Sequence, residues 1–446
     1  ASGFFGRGYN RAVFIENGRG IILFMKFIDE KRAEAAFRHA TENTFSDFYR
    51  KKYKKAGLEL PENFSIDFFQ SLPFLTRDEL GETTLSKRTF VAAEEIVFAG
   101  YTSGTSSQKP LITLFGEVPN YHFEPSLGLP ITRPLIVLPA LCKNFGHTFI
   151  QQCRQAKNKV TPIFADYQNL ANSAILAEAG KCDSIYATPT QALLMHEYIK
   201  KYYSSSAIKL LALSGEILTD IRREELKRMY PNALIANLYA SSEIGQFVLF
   251  PCEKIISEGR NKFHILKDAL AAAELVDGEL IVTYGLNKAM PLIRYKTGDY
   301  FEAMPEECAC GLPGPVLEWS HRSGVDRIRV NGAEFTVAEA DRVFSTIAHL
   351  TSPNYQVHFY GSDKTDNNQP KIVVKIKDDV LAKDKRRAEF LAPLVAEEIK
   401  DKWMFSGNAN LMLLIKRGLF SDLEVVFVSE FLFPGAKMKR FVSHLI

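Results

Sequence analysis

The stretch IKLLALSGEILTDIRREELKRMYPNALIA, residues 208–236, decides the fold. Ile208 to Leu213 is a short apolar run that closes on Ser214-Gly215-Glu216. Thr219 to Met229 is charged and helix-forming, and Ala233 to Ala236 is apolar again. Strand, helix and strand in so short a span make a βαβ unit, whose crossover helix obliges the two strands to run parallel. The pattern continues outward on the N-terminal side, with short β-branched runs at Ile96 to Phe98, Leu135 to Leu138 and Val160 to Phe164, and a helical stretch at Thr190 to Lys201. This predicts an α/β fold with a parallel sheet flanked by helices. On the C-terminal side Gly278 to Tyr284 reads as a strand with no helix after it. The span 278–335 is rich in Gly, Pro and turn residues and predicts a β-rich antiparallel subdomain. The remainder predicts a separate small α+β unit, with strands at Gln356 to Tyr360, Lys371 to Ile376 and Leu423 to Val428. Its one long helix is Arg386 to Lys402, and Asp363 to Gln369 is a surface loop. The expected domains are 1–325 and 326–446. Near the start, residues 28–57 read as one amphipathic helix ending at Gly57. Thr76 and Glu79 have the spacing of a capping box that begins another.

Composition narrows the function classes. The 446 residues carry 55 Lys and Arg against 52 Asp and Glu, a net charge of +3, which leaves no extended surface for nucleic acid. No apolar run reaches the length of a membrane helix, and Gly18 to Phe27 lacks the layout of a signal peptide. Six cysteines in so long a chain are too few for a disulfide scaffold and predict reduced thiols in a cytoplasm. The start at Ala1, without Met, reads as either a processed end or a remnant of cloning.

Two local features carry chemistry. Tyr101-Thr-Ser-Gly-Thr-Ser-Ser-Gln-Lys-Pro110 follows a predicted strand. Successive small residues let backbone N–H groups turn around an anion, and the hydroxyls of Thr102, Ser103, Thr105 and Ser106 beside Gly104 add donors to phosphate oxygens. The spacing is not that of the P-loop of kinase-like NTPases. Cys252, His264, Cys308 and Cys310 together offer the three sulfurs and one nitrogen that a closed, tetrahedral structural zinc site takes, with isolated thiols as the other reading.

Taken with four further segments, the Ser/Thr/Gly loop resembles the acyl-CoA synthetase superfamily of adenylate-forming enzymes, closest to its phenylacetate-CoA ligase branch. The segments are Ser214-Gly215-Glu216; Asn237-Leu-Tyr-Ala-Ser-Ser-Glu-Ile-Gly245; Pro291-Leu-Ile-Arg-Tyr-Lys-Thr-Gly-Asp299; and Pro434-Gly-Ala-Lys-Met-Lys-Arg440. The resemblance implies an N-terminal adenylation domain binding ATP and a carboxylic acid, and a mobile C-terminal lid turning about Asp326. It implies ATP or AMP contacts from the hydroxyl loop, from Ser214, Gly215 and Glu216 beside the adenine, and from Tyr239, Ala240, Ser241 and Ser242. Glu243 would reach a magnesium ion, Asp299 the ribose hydroxyls, and Arg322 the ribose and phosphate side. Lys437, with Glu243 and Thr105, would be catalytic.

Cys308-Ala-Cys-Gly311 repeats a context in which some of these relatives carry cysteines. Phe145 and His147 would frame a small aromatic acid, while Phe149 reads as core packing. The implied reaction is acid activation to an acyl-adenylate with loss of pyrophosphate, followed by transfer to CoA. The implied partners are a small carboxylic acid and CoA, with a homodimer by analogy and neither nucleic acid nor membrane. Departures sit at Ser106-Ser107, Leu111, His321 and Val325. They leave two alternatives open: transfer to a carrier protein, protein cysteine or amine, and a non-catalytic nucleotide- or acyl-binding protein.

Overall fold

The structure, a computed structural model, describes residues 13–17, 20–24, 26–101, 111–118, 131–137, 150, 160–166, 169–265, 269–304, 308–312, 315–322, 327–331, 333–361, 369–405, 409–431 and 439–444. It divides into two compact units. The first holds residues 1–215 and 230–320, the second 216–229 and 321–446.

In the first unit the strands Leu234–Asn237, Leu210–Leu213, Ser184–Ala187, Pro134–Ile136 and Ile163–Phe164 lie in that order in a five-stranded sheet, every pair parallel. Ser184–Ala187 and Leu210–Leu213 are buried along their whole length. That explains why they read as unbroken apolar runs rather than alternating ones, since a parallel sheet is covered on both faces. The helix Pro189–Tyr202 joins two of them and starts on a Thr188/Gln191 capping box, with Pro189 supplying a backbone already shaped for a first turn.

The β-rich part is an eight-stranded sheet in the order Tyr239–Ser241, Gln246–Phe250, Lys262–Ile265, Val316–Arg322, Leu292–Met304, Glu279–Tyr284, Ala272–Val276 and Lys26–Ile28. Its pairing is antiparallel, as the span 278–335 predicts. The helix Glu30–Thr41 packs on this sheet. The contact is close enough that a Cβ at Gly285 would lie 2.5 Å from the Cβ of Ala36.

Two expectations change. Residues 28–57 form two helices, Glu30–Thr41 and Phe48–Lys55. Between them the Asn43 side chain accepts the backbone N–H of Phe45 (2.8 Å) and Ser46 (3.3 Å) and donates to the Phe90 carbonyl (2.7 Å). Such side-chain bonds compete with the helical ladder and end it. The strand expected at Ile96 to Phe98 is Phe98–Tyr101. It pairs antiparallel with Ile112–Phe115, outside the parallel sheet, so the Ser/Thr/Gly loop is bracketed by a two-stranded ribbon. Among the described residues no helix is long and apolar enough to cross a membrane.

The second unit is built on the sheet Leu423–Val428, Lys371–Lys377, Tyr355–Tyr360, Phe441–His444. The middle pair is antiparallel and both outer pairs are parallel. Val337–Thr346 and Lys385–Lys402 are helices of this unit, around a core that includes Phe335, Tyr355, Ile399 and Trp403. The helix Asp220–Met229 belongs to it as well. Arg222 on that helix and Asp341 on Val337–Thr346 form a buried ion pair (Nε to Oδ2, 2.8 Å). Asp341 also accepts the hydroxyls of Thr219 (2.8 Å) and Tyr355 (2.7 Å). Arg440 stacks over the Tyr355 ring at 4.5 Å and donates to its carbonyl. Burial works against a charge at Asp341, yet Arg222, Arg440 and the two hydroxyls hold its carboxyl below the usual range.

Candidate functional site

The carboxyl ends of two parallel strands place the first group of residues, the usual location of ligand sites in α/β sheets. Leu210–Leu213 runs into Ser214, which is buried and whose N–H is held by the Ala187 carbonyl (3.1 Å). Gly215 follows with φ +87, a left-handed turn that favours glycine. The boundary between the units runs between Gly215 and Glu216. Glu216 pairs with Arg222 at 3.7 Å within the second unit.

Leu234–Asn237 leads directly into Tyr239–Ser241, so Tyr239, Ala240 and Ser241 sit where the chain crosses from the parallel sheet to the antiparallel one. The Tyr239 ring is fixed edge-on against Phe301 (5.3 Å) and tilted against Trp319 (6.0 Å). Its hydroxyl donates to Asp299 Oδ2 at 2.6 Å. Asp299 is itself buried on the strand Leu292–Met304. Its turn is set by Gly298 at φ +74 and by Thr297 Oγ1, which accepts the Asp299 N–H. Residues Tyr239 and Asp299, read from two separate motifs, therefore form one hydrogen-bonded pair.

Glu243 lies just beyond, buried, with Ser241 Oγ donating to its Oε2 at 2.6 Å. Its other oxygen takes the guanidinium of Arg77, a residue that the sequence reading missed. Arg77 opens the helix Arg77–Glu82, whose capping box is the predicted one. Thr76 N donates to Glu79 Oε2 (2.8 Å), and Glu79 N donates to Thr76 Oγ1 (3.2 Å). Leu75 bonds on both sides to the Pro291–Asp299 segment, through the Arg294 carbonyl (3.0 Å) and the Lys296 N–H (2.9 Å). The cap and this pairing together carry Arg77 to Glu243, and no local sequence signal announces the contact. Glu243 offers the single carboxylate with which magnesium is commonly held alongside substrate phosphates, so the residue fits that ion once Arg77 yields it.

Cys252, His264, Cys308 and Cys310 come together, their ligand atoms all within 4.8 Å of one another. Cys252 Sγ is 3.6 Å from Cys308 Sγ, and Cys310 Sγ is 3.4 Å from His264 Nε2. Ligands on a tetrahedral zinc with Zn–S bonds of ~2.3 Å are about 3.8 Å apart, so the spacing fits the ion. Burial favours the neutral imidazole of His264 and pushes the Cys252 thiol up to about 12. At Cys308 burial opposes the thiolate, but hydrogen bonds from Cys310 and Cys252 prevail and lower its pKa.

The positions Thr102, Ser103, Gly104, Thr105 and Ser106, the substrate candidates Phe145 and His147, the hinge Asp326 and Lys437 lie outside the described residues. Arg322 ends the strand Val316–Arg322, its side chain likewise outside.

No protein-family model matches the chain. It is 22% identical over 426 residues to the phenylacetate-coenzyme A ligase of Thermus thermophilus, covering 84% of this chain and 90% of the relative. To the Escherichia coli enzyme of the same name it is 21% identical over 396 residues, covering 81% and 85%. The crystal structure of 2-hydroxyisobutyryl-CoA ligase in its postadenylation state, with 2-HIB-AMP, matches at a TM-score of 0.71, 16% identity and coverage of 93% and 88%. An open conformation of that ligase with 2-HIB-AMP and CoA matches at 0.59, 16% identity and coverage of 92% and 90%. The fold is that of these ligases, as the sequence resemblance implies.

Proposed function

We infer that this chain, a phenylacetate-CoA ligase-like relative within the adenylate-forming superfamily, is an AMP-forming ligase that activates a small carboxylic acid with ATP and passes the acyl group to CoA. The observation that supports it most is the buried pair of Tyr239 and Asp299 beside Glu243, since those three residues come from two motifs far apart in sequence.

A carboxylate is a poor electrophile. Its attack on the α-phosphorus of ATP expels pyrophosphate and leaves a mixed anhydride whose acyl carbon a thiol can take. Negative charge grows on the phosphate oxygens during that attack, and the protein must meet it with fixed positive or hydrogen-bonding groups. Asp299, oriented by Tyr239, accepts the ribose hydroxyls. Glu243, released by Arg77, is the residue that would hold magnesium, which when bound neutralises phosphate charge. Thr105 and its neighbours donate to phosphate oxygens, and Lys437 spans carboxylate and α-phosphate. Phe145 and His147 frame an aromatic acid.

The test is pyrophosphate release over a panel of aryl and short-chain acids, with and without CoA. Acid-dependent release that is sustained only with CoA is the expected result. A single burst that CoA does not relieve would replace CoA by a carrier or protein acceptor, and tight ATP binding with no turnover would replace the enzyme by a binding protein.

We also propose that Cys252, His264, Cys308 and Cys310 hold a structural zinc ion. All four positions are filled by protein, so the ion has no open site for substrate and serves folding. Elemental analysis should find one zinc per chain, and a strong chelator should lower the midpoint of thermal unfolding. Protein that is metal-free as purified and equally stable with chelator would end the proposal.

A further inference from the structure

The strands Glu279–Tyr284 and Leu292–Met304 pair antiparallel, but their ladder is broken at one place. Glu279 lies opposite Tyr300 and Ile281 opposite Lys296, so Leu280 alone faces Thr297, Gly298 and Asp299. The surplus residues make a bulge, a device that bends a strand and re-aims a side chain. Here the side chain is that of Asp299, whose Oδ2 the bulge brings to the Tyr239 hydroxyl at 2.6 Å.

A bulge gives up ladder hydrogen bonds, so its backbone groups need other partners. Side chains supply them. Thr297 Oγ1 donates to the Leu280 carbonyl (2.7 Å) and accepts the Asp299 N–H (3.1 Å). The Gly298 N–H goes to Glu279 Oε1 (3.0 Å). The other oxygen of Glu279 pairs with Nζ of Lys296 (3.0 Å), the last residue before the bulge. Glu279 is buried and therefore spans the bulge from Lys296 to Gly298 as a brace. Its own place is fixed by the turn just before it, where Asp277 and Gly278 have φ +51 and +79. The Gly278 carbonyl takes the Phe301 N–H at 2.8 Å, where the ladder resumes. A carboxylate that accepts a backbone N–H makes a charge-assisted bond, stronger than the neutral one it replaces.

We propose that Glu279 is a positioning residue for nucleotide binding, which acts through Gly298 to hold Asp299 in the orientation that meets the ribose. The proposal rests on the reading of Asp299 as the acceptor of the ribose hydroxyls, given above. Without the Glu279 acceptor the Gly298 N–H has no ladder partner to return to, because the register on either side is set by Lys296 and Tyr300. The bulge then rearranges, and the Asp299 carboxylate loses its fixed direction.

Equilibrium binding of ATP and of 2′,3′-dideoxy-ATP to the full chain tests this, because only ATP carries the hydroxyls that Asp299 is read to bind. The wild type should prefer ATP by about tenfold or more, the usual scale for hydrogen bonds to a charged group. Glu279→Met removes the acceptor and keeps the bulk, and Glu279→Ala removes both. Each should raise the Kd for ATP about tenfold and leave that for dideoxy-ATP nearly unchanged, so that the preference vanishes. Glu279→Gln still offers an oxygen to Gly298 and should keep most of the preference. In pyrophosphate release the loss should fall on the KM for ATP and not on kcat, as for a contact made alike in ground and transition states. Circular dichroism shows whether each variant is folded. Equal wild-type affinity for the two nucleotides would remove Asp299 from the ribose, and this proposal with it. The positioning role alone is overturned by a wild-type preference that Glu279→Met and Glu279→Ala retain, or by equal weakening for both nucleotides. A Glu279→Gln variant no better than Glu279→Ala overturns it as well.

Discussion

Asp341→Ala is expected to cost the second unit about 3–5 kcal/mol, the usual effect of removing one partner from a buried ion pair. The loss is large because of what stays behind. Arg222 is buried and has Asp341 at 2.8 Å as its near counter-ion, while Glu216 lies farther off at 3.7 Å. The guanidinium of Arg440 lies over the Tyr355 ring in the same network. Without the carboxylate, two buried cations share one distant acid, and the hydroxyls of Tyr355 and Thr219 lose their acceptor. Urea unfolding followed by fluorescence reads this directly. The chain has two tryptophans, and Trp403 is fully buried in the second unit, so a Trp319→Phe background reports that unit alone.

The same carboxylate sets an acid limit. Its pKa in the folded chain lies below the ordinary value of 3.8. Its contribution is therefore complete above that value and disappears as pH falls through the lower folded one. Asp341→Ala should flatten this part of the acid-unfolding curve. An unchanged urea midpoint in the variant would show that the network contributes nothing net.

Lys437→Ala is expected to lower acid-dependent pyrophosphate release by about 10²–10³-fold, the usual cost of removing one group aimed at developing charge in a water-poor site. In the proposed role the effect falls on the chemical step, because an ammonium bridging the attacking carboxylate and the α-phosphate would also set their distance and angle. In the proposed reaction Asp299 and the hydroxyl loop carry most of the ATP binding, so ATP affinity should weaken only modestly. The split between the two readouts matters. A variant that loses ATP affinity in proportion to rate would make Lys437 a binding residue, and one with unchanged pyrophosphate release would remove it from the reaction.

The parts of this protein that the sequence made legible are those governed by short-range rules. Unbroken apolar runs such as Leu210–Leu213 announce a strand covered on both faces, and the Thr76/Glu79 spacing announces a helix start. The resemblance to the family's motifs led to Tyr239, Glu243 and Asp299, and the donor types of three cysteines and one histidine led to the sulfur and histidine cluster. What stayed hidden depends on partners remote in sequence. Nothing around Arg77 points to Glu243, because their meeting rests on the pairing of Leu75 with the Arg294–Lys296 strand. The break after Thr41 was missed for a related reason. Phe45 keeps near-helical spacing with Phe37 and Phe48, while Asn43, whose side chain takes the N–H groups of Phe45 and Ser46, is anchored to the remote Phe90 carbonyl. Arg222 is one of several charges in the helical stretch Thr219 to Met229 and nothing in the sequence singles out Asp341; only the tertiary fold turns them into a buried pair.

The ligand set at Cys252, His264, Cys308 and Cys310 also bears on the order of events during folding. Cys308 and Cys310 are neighbours in any conformation, whereas Cys252 and His264 approach each other through the pairing of Gln246–Phe250 with Lys262–Ile265. They reach the other two only when Lys262–Ile265 lies beside Val316–Arg322. A zinc ion that meets the nascent chain finds two thiolates at most, and the remaining ligands arrive as the antiparallel sheet closes. Full-strength capture of the proposed zinc would thus be a late event that locks a register already chosen, and resistance to a chelator would become a clock for completion of that sheet.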